Sequence, residues 1–235
     1  MKKYILTLIL ALASLGLYAQ TNRNKTIINA ALHGWEYEIK AGVNLGGTAP
    51  LPFPEEIRSI DGYNPTLSIT IEGNMTKWLD TKKKWGIITG LRLENKGMRT
   101  KATVKNYNME IIGYDGNRLK GNWTGGVRTK VQNSYITIPV LAAYKLSPRT
   151  TLKLGPYFSY LMDGDFSGHV YEGYLRETNP TGDKINFTNG AIATYDFSGD
   201  LRKFQWGVQA GVDWKAFKHL KVHADLNWGL NDIFN

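Results

Sequence analysis

His223 and Asp225 stand two residues apart near the end of the sequence, between Val222, Ala224 and Leu226. In an extended chain that spacing puts imidazole and carboxylate on one face, and a carboxylate that orients an imidazole is the start of general-base chemistry. Ser159, in another stretch of the same period, is the candidate hydroxyl. A hydrolytic site also needs a placed nucleophile and an oxyanion-stabilising group, and no motif names either. The expectation is no catalytic residue and no enzymatic activity, with His223 a pH-sensitive member of an interior charge network. A barrel enzyme acting on lipid, with His223 as base, is the alternative in that class. The sequence has 4 His and 0 Cys, with no second His at ligand spacing, so no metal or other cofactor is expected and disulfides are excluded.

Other ionisable residues share the polar faces of alternating segments: Glu36, Glu38, Lys40, Glu72, Arg92, Glu94, Asp213 and Lys221, with Lys96, Lys145 and Lys153. Both signs occur in similar number. In a small barrel they would meet in pairs and fill the hollow instead of lining a channel. A register setting Trp214 opposite Leu220 would bring Asp213 beside Lys221 and Gln209 beside Asp225. Gly86, Gly90, Gly207 and Gly211 lie on the same faces and relieve crowding there; room for a ligand is the weaker reading.

Seven segments carry these residues, each with period-two alternation: WEYEIKAGVNL, TLSITIEGNM, WGIITGLRLENK, YITIPVLAAYKL, LKLGPYFSYLM, KFQWGVQAGVDW and HLKVHADLNWGL. Ile88 breaks the polar face of the third, and the fourth is the most apolar. Each apolar face persists for about nine to eleven residues, the length a tilted strand needs to cross a hydrocarbon layer. After the second, fourth and sixth segments the chain turns within DTKKK, SPRTT and KAFKH, whereas long polar stretches without helical period, the last roughly Gly164 to Arg202, follow the first, third and fifth. Short turns on one side and long loops on the other suit an up-and-down antiparallel transmembrane β-barrel.

Trp35, Trp85 and Trp214 fall at the turn-side ends, and Tyr160, Trp206 and Trp228 toward the loops, as two interfacial girdles would require. Trp78 has the wrong parity for a girdle, so a bulge or an early strand end is expected there. Alternation alone does not say which face points inward. A secreted soluble barrel enclosing a small apolar ligand would show the same period with its charges outside.

MKKYILTLILALASLGLYAQ has the basic head and short apolar core of a secretory signal. The expected division is residues 1–19 as signal peptide, 20–34 as a periplasmic stub and 35–235 as the barrel. The net charge of +9 comes from scattered residues; it suits anionic head groups, and no nucleic-acid partner is expected. Expected partners are outer-membrane lipid, the barrel-assembly machinery during biogenesis, and a protein met through the long loops.

YITIPVLAAYKL, the short turn and LKLGPYFSYLM resemble the central hairpin of the PorT-like outer-membrane β-barrel family of Bacteroidetes, as do FQWGVQAGVDWK and VHADLNWGLNDIF. The resemblance spans roughly Trp35 to Phe234. It implies an eight-stranded barrel in the outer membrane with a structural, interaction or transport-associated role. The family's founding member is linked to protein secretion, a role the resemblance does not by itself transfer. Seven strands are visible here, and the family pattern continues into an eighth. The closing strand is therefore expected beyond Asn235, or else TIINAALHG contributes to closure.

Overall fold

The computed structural model describes residues 34–47, 54–114 and 116–234. The proposed signal peptide and all of TIINAALHG but its final Gly34 lie outside them. The described residues form nine antiparallel strands: β1 (Trp35–Asn44), β2 (Ile57–Thr66), β3 (Ser68–Trp78), β4 (Trp85–Ile112), β5 (Arg118–Lys145), β6 (Thr150–Glu177), β7 (Lys184–Asp196), β8 (Phe204–Phe217) and β9 (Leu220–Gly229). One sheet runs in the order β1-β3-β4-β5-β6-β8-β9. These seven strands contain the seven segments marked by alternation, but for at most two residues at a segment's end, and the architecture is that of an all-β barrel. β1 and β9 end the sheet, and no ladder between them is seen among the described residues.

The long polar stretches are not all loop. β4, β5 and β6 are each 28 residues long, so much of the long polar stretches is strand. β2 lies above β3 on the same neighbour, β4: Thr66 pairs with Gly97, and Thr70 with Glu94. β7 lies above β8 along β6 and also meets β4 at Ile112–Thr194. The upper halves of β4, β5 and β6 thus curl with β7 into a second unit.

That unit has its own apolar core, centred on the fully buried Trp123, Ile111, Val170 and Leu175. Trp123 meets Phe187 edge-on at 5.3 Å between ring centroids. The Tyr195 hydroxyl sits 2.6 Å from Thr129 Oγ1 and donates to the Arg128 carbonyl at 3.0 Å. Burial pushes its phenol up to about 12.

The three turns at the opposite end are tight. Asp80 accepts from the amides of Lys84 (2.7 Å) and Trp85 (2.9 Å), and chiefly the Trp85 amide holds its carboxyl below the ordinary carboxylate range. A depressed folded-state pKa stabilises above the unfolded value, and the effect is lost as pH falls through the folded one. Asp80→Ala is therefore expected to speed amide exchange at Lys84 and Trp85 near neutral pH, and to change little once Asp80 is protonated in both states.

The β8–β9 turn departs from expectation. Phe217 pairs with Leu220 and Lys215 with Lys221, with a bulge between them, so Trp214 faces Val222 and not Leu220. Asp213 consequently stands opposite His223, and Gln209 opposite Asn227. A two-residue turn plus one unpaired residue moves the register by two places, which keeps every side chain on its expected face.

Candidate functional site

Along β5 the inward side chains lay out the hollow. Ala143 and Leu141 join Trp78 and Ile88 in an apolar floor near the short turns, with Lys145 Nζ 4.4 Å from the Trp78 ring. Trp78 thus needs neither bulge nor early strand end. It is an inward residue in register with Gly86, where a Cβ would lie 2.9 Å from its ring. Ile88, the fault in its polar face, belongs to the same floor. At the other end Tyr135 and Leu161 pack with Leu201, and Leu201 bridges to Phe234.

The charges lie between floor and cap. Arg92 is bonded to Glu72, lies 3.9 Å from Glu94, and donates to Gln209 Oε1 at 2.8 Å across the hollow. Glu94 also takes Lys96 at 3.2 Å and the Thr137 hydroxyl at 2.8 Å. Lys96 Nζ rests 5.1 Å from the Tyr135 ring and 5.6 Å from that of Tyr157. Beside this group, Lys153 Nζ sits 2.6 Å from Asp213 and 2.8 Å from Asp225, and Lys40 reaches Asp213 at 3.4 Å. Four cations (Lys40, Arg92, Lys96, Lys153) meet four carboxylates (Glu72, Glu94, Asp213, Asp225). The set is neutral in sum and largely buried except at Lys96, whose side chain is 31 % exposed; Arg92 and Glu94 are each 3 % exposed and Gln209 0 %. Glycine makes room for it, since a Cβ at Gly211 would overlap the Asp225 carboxylate.

Of the expected interior residues, Lys40, Glu72, Arg92, Glu94, Asp213 and Asp225 therefore come together. Lys153, in the sequence one lysine among several on a polar face, is the most enclosed of the cations. Glu36 belongs elsewhere: it pairs with Lys83 of the first short turn at 3.2 Å, half in solvent, because β1 begins at that mouth. Glu38 meets Lys221 at 3.0 Å, partly exposed, so Lys221 bridges to β1 and not to Asp213. His223 lies against β1 from β9; a Cβ at Gly42 would be 3.2 Å from its Nε2. Ser159 shares its proton with Thr137, 2.7 Å away, and Asp225 is engaged by Lys153. The His223–Asp225–Ser159 constellation is thus dispersed among other partners.

The outward face has the opposite character. Leu226 is 68 % exposed and Val208 39 %, and Trp85, Trp214, Tyr160, Trp206 and Trp228 all project from the surface, with Trp35 half-buried beside Lys77. No outward position of β4 from Trp85 to Leu93, β5 from Ile136 to Tyr144, or β8 from Phe204 to Trp214 is Asp, Glu, Lys, Arg or His. Seven strands with that face make an apolar surface far larger than the few hundred Å² a water-soluble protein exposes. With tilted strands its height is about 25 Å, that of a hydrocarbon-facing band.

Polarity then inverts within single strands. On β4 the outward Leu91 and Leu93 give way to Asn95, Arg99 and Lys101, while the inward Arg92 and Glu94 give way to the buried Met98 and Val104. On β5 the outward Ile138 and Ile136 give way to Ser134, Gln132, Lys130 and Arg128, and the inward Thr137 to Val131 and Val127. The chain keeps its pleat while its surroundings change from oil to water. A family model for the outer membrane protein beta-barrel domain matches residues 18–235. The chain belongs to that family. No curated protein and no solved structure gives a match. This outer-membrane barrel thus carries its tight turns at one end and the apolar-cored upper unit at the other.

Proposed function

We propose that this outer-membrane barrel is a closed, non-enzymatic anchor that presents its rigid upper unit for interaction at the cell surface. One observation carries the reading: a charge-neutral, buried ion-pair network fills the hollow between an apolar floor at Trp78 and a cap at Tyr135, Leu161 and Leu201. A permeation path would require breaking buried pairs, each costly to open. The strands instead continue past the membrane into a cored unit, and rigid scaffolds of that kind usually carry recognition. The reading includes export through the segment 1–19 and membership of the PorT-like branch, on the strength of the two hairpin motifs. An accessory role in secretion, or another transport-associated role, would then be exercised by the upper unit on a partner protein and not through the hollow.

Planar-bilayer recording tests it. The purified full-length protein is expected to show no porin-level conductance. Trp78→Ala together with Tyr135→Ala, which removes bulk from both ends, is expected to give at most brief, small openings because the ion pairs remain. Steady conductance from the unaltered protein would overturn the reading.

A further inference from the structure

Two pairs of like charges face each other across the β4–β5 ladder above the apolar band. Arg99 is in register with Lys130, and Lys101 with Arg128. Directly opposed side chains stand about 5 Å apart in a sheet, and like charges there are destabilising. The protein compensates only in part. Asp165 takes Lys130 at 3.0 Å, while Asp61, which accepts from Ser59 at 2.6 Å and Thr103 at 2.7 Å, also faces the Lys101 charge. Asp196, in the next strand of the same row, accepts from the Ser198 amide. Arg128 lies 5.2 Å from the Tyr171 ring. Burial and the Arg128 charge hold the neighbouring His169 imidazole below its ordinary value. The four cations also line a concavity of about 740 Å³.

These cations lie on the outward face, on the parity of the lipid-facing residues below them. From Leu93 to Arg99, and from Ile136 to Lys130, the strand rises six residues, about 15 Å of height at a 40° tilt. Asn95 and Ser134, hydrogen-bonded at 2.8 Å, occupy the interval. An amphiphile with acyl chains on the apolar band would hold the anionic groups of its first sugars at that level. We propose that Arg99, Lys101, Arg128 and Lys130 form a binding site for the phosphorylated saccharide of an outer-leaflet glycolipid. The site rests on the outward orientation of the upper unit given under Proposed function.

The test titrates the full-length protein in phosphatidylcholine nanodiscs with a phosphorylated lipooligosaccharide, its dephosphorylated form, and inorganic phosphate. At about fivefold per basic residue, Arg99→Gln with Lys101→Gln is expected to weaken lipooligosaccharide binding about twentyfold or more. Without glycolipid the same variant is expected to melt above the unaltered protein, because the like-charge repulsion is gone. Should it fail to fold, Arg128→Gln with Lys130→Gln reads the same patch from the other strand. Unchanged binding by the folded variant, or equal binding of the dephosphorylated glycolipid, would overturn the site. Equally strong binding of inorganic phosphate would make it a general anion site and overturn the lipid assignment. Orientation is read separately: the sequence has no Cys, so Thr181→Cys in the exposed β6–β7 turn gives a single thiol. Failure of an impermeant maleimide to label it on intact cells would sink the outward reading whatever the nanodiscs show.

Discussion

Asp213→Ala should lower the unfolding free energy by about 3–5 kcal/mol, the usual cost of stripping one partner from a buried ion pair. Asp213 serves Lys40 at 3.4 Å and Lys153 at 2.6 Å. Lys153 keeps Asp225, so the loss falls mainly on Lys40, left enclosed beside another lysine. Asp213→Ala combined with Lys40→Met should therefore recover most of the deficit. Lys221→Ala removes a half-exposed partner of Glu38 and should cost less than about 1 kcal/mol. Urea unfolding in lipid vesicles, followed by tryptophan fluorescence and heat-modifiable gel mobility, would rank the variants. If Asp213→Ala behaved like Lys221→Ala, the hollow would hold enough water to screen its charges, and the argument for a sealed interior would fail.

The network was legible as a set of residues and illegible as a set of pairs. Period-two alternation gives the face of each side chain but not the offset between strands. At the β8–β9 turn a two-place difference in register kept Asp213 and Asp225 inward while replacing Lys221 by His223 opposite Asp213. The links that matter also cross the hollow, as Arg92 does to Gln209, and no local pattern encodes them. Trp78 carries a related lesson. Its parity was correct and only the assumption that a tryptophan at a strand end must face lipid was wrong.

The upper unit was missed for a different physical reason. Its strands alternate too, with the sign reversed: Met98, Val104, Val127 and Val131 point inward while Arg99, Lys101, Arg128 and Lys130 point outward. A template that expects the apolar face to stay on one parity reads such a stretch as polar loop. The reversal is itself the signal, because a strand that leaves the bilayer without leaving the sheet must exchange its oily and wet faces. It would also have located the membrane boundary near Asn95 and Ser134 from sequence alone.

Which face meets lipid can be weighed directly at Val208, near the middle of the outward run from Phe204 to Trp214. Arginine there would place a guanidinium in the hydrocarbon centre, and Val208→Arg should cost about 2–4 kcal/mol, against about 0–1 kcal/mol for Leu230→Arg at the rim. Both residues are exposed on the barrel surface. In a water-soluble barrel neither change would exceed about 0.5 kcal/mol, the range of ordinary surface substitutions. The depth dependence therefore separates the two cases more sharply than either mutation alone, and unfolding from vesicles of two hydrocarbon thicknesses adds a further control. A thinner bilayer should reduce the Val208→Arg penalty and leave Leu230→Arg almost unchanged, since only the former arginine has a layer of oil to cross before it reaches water.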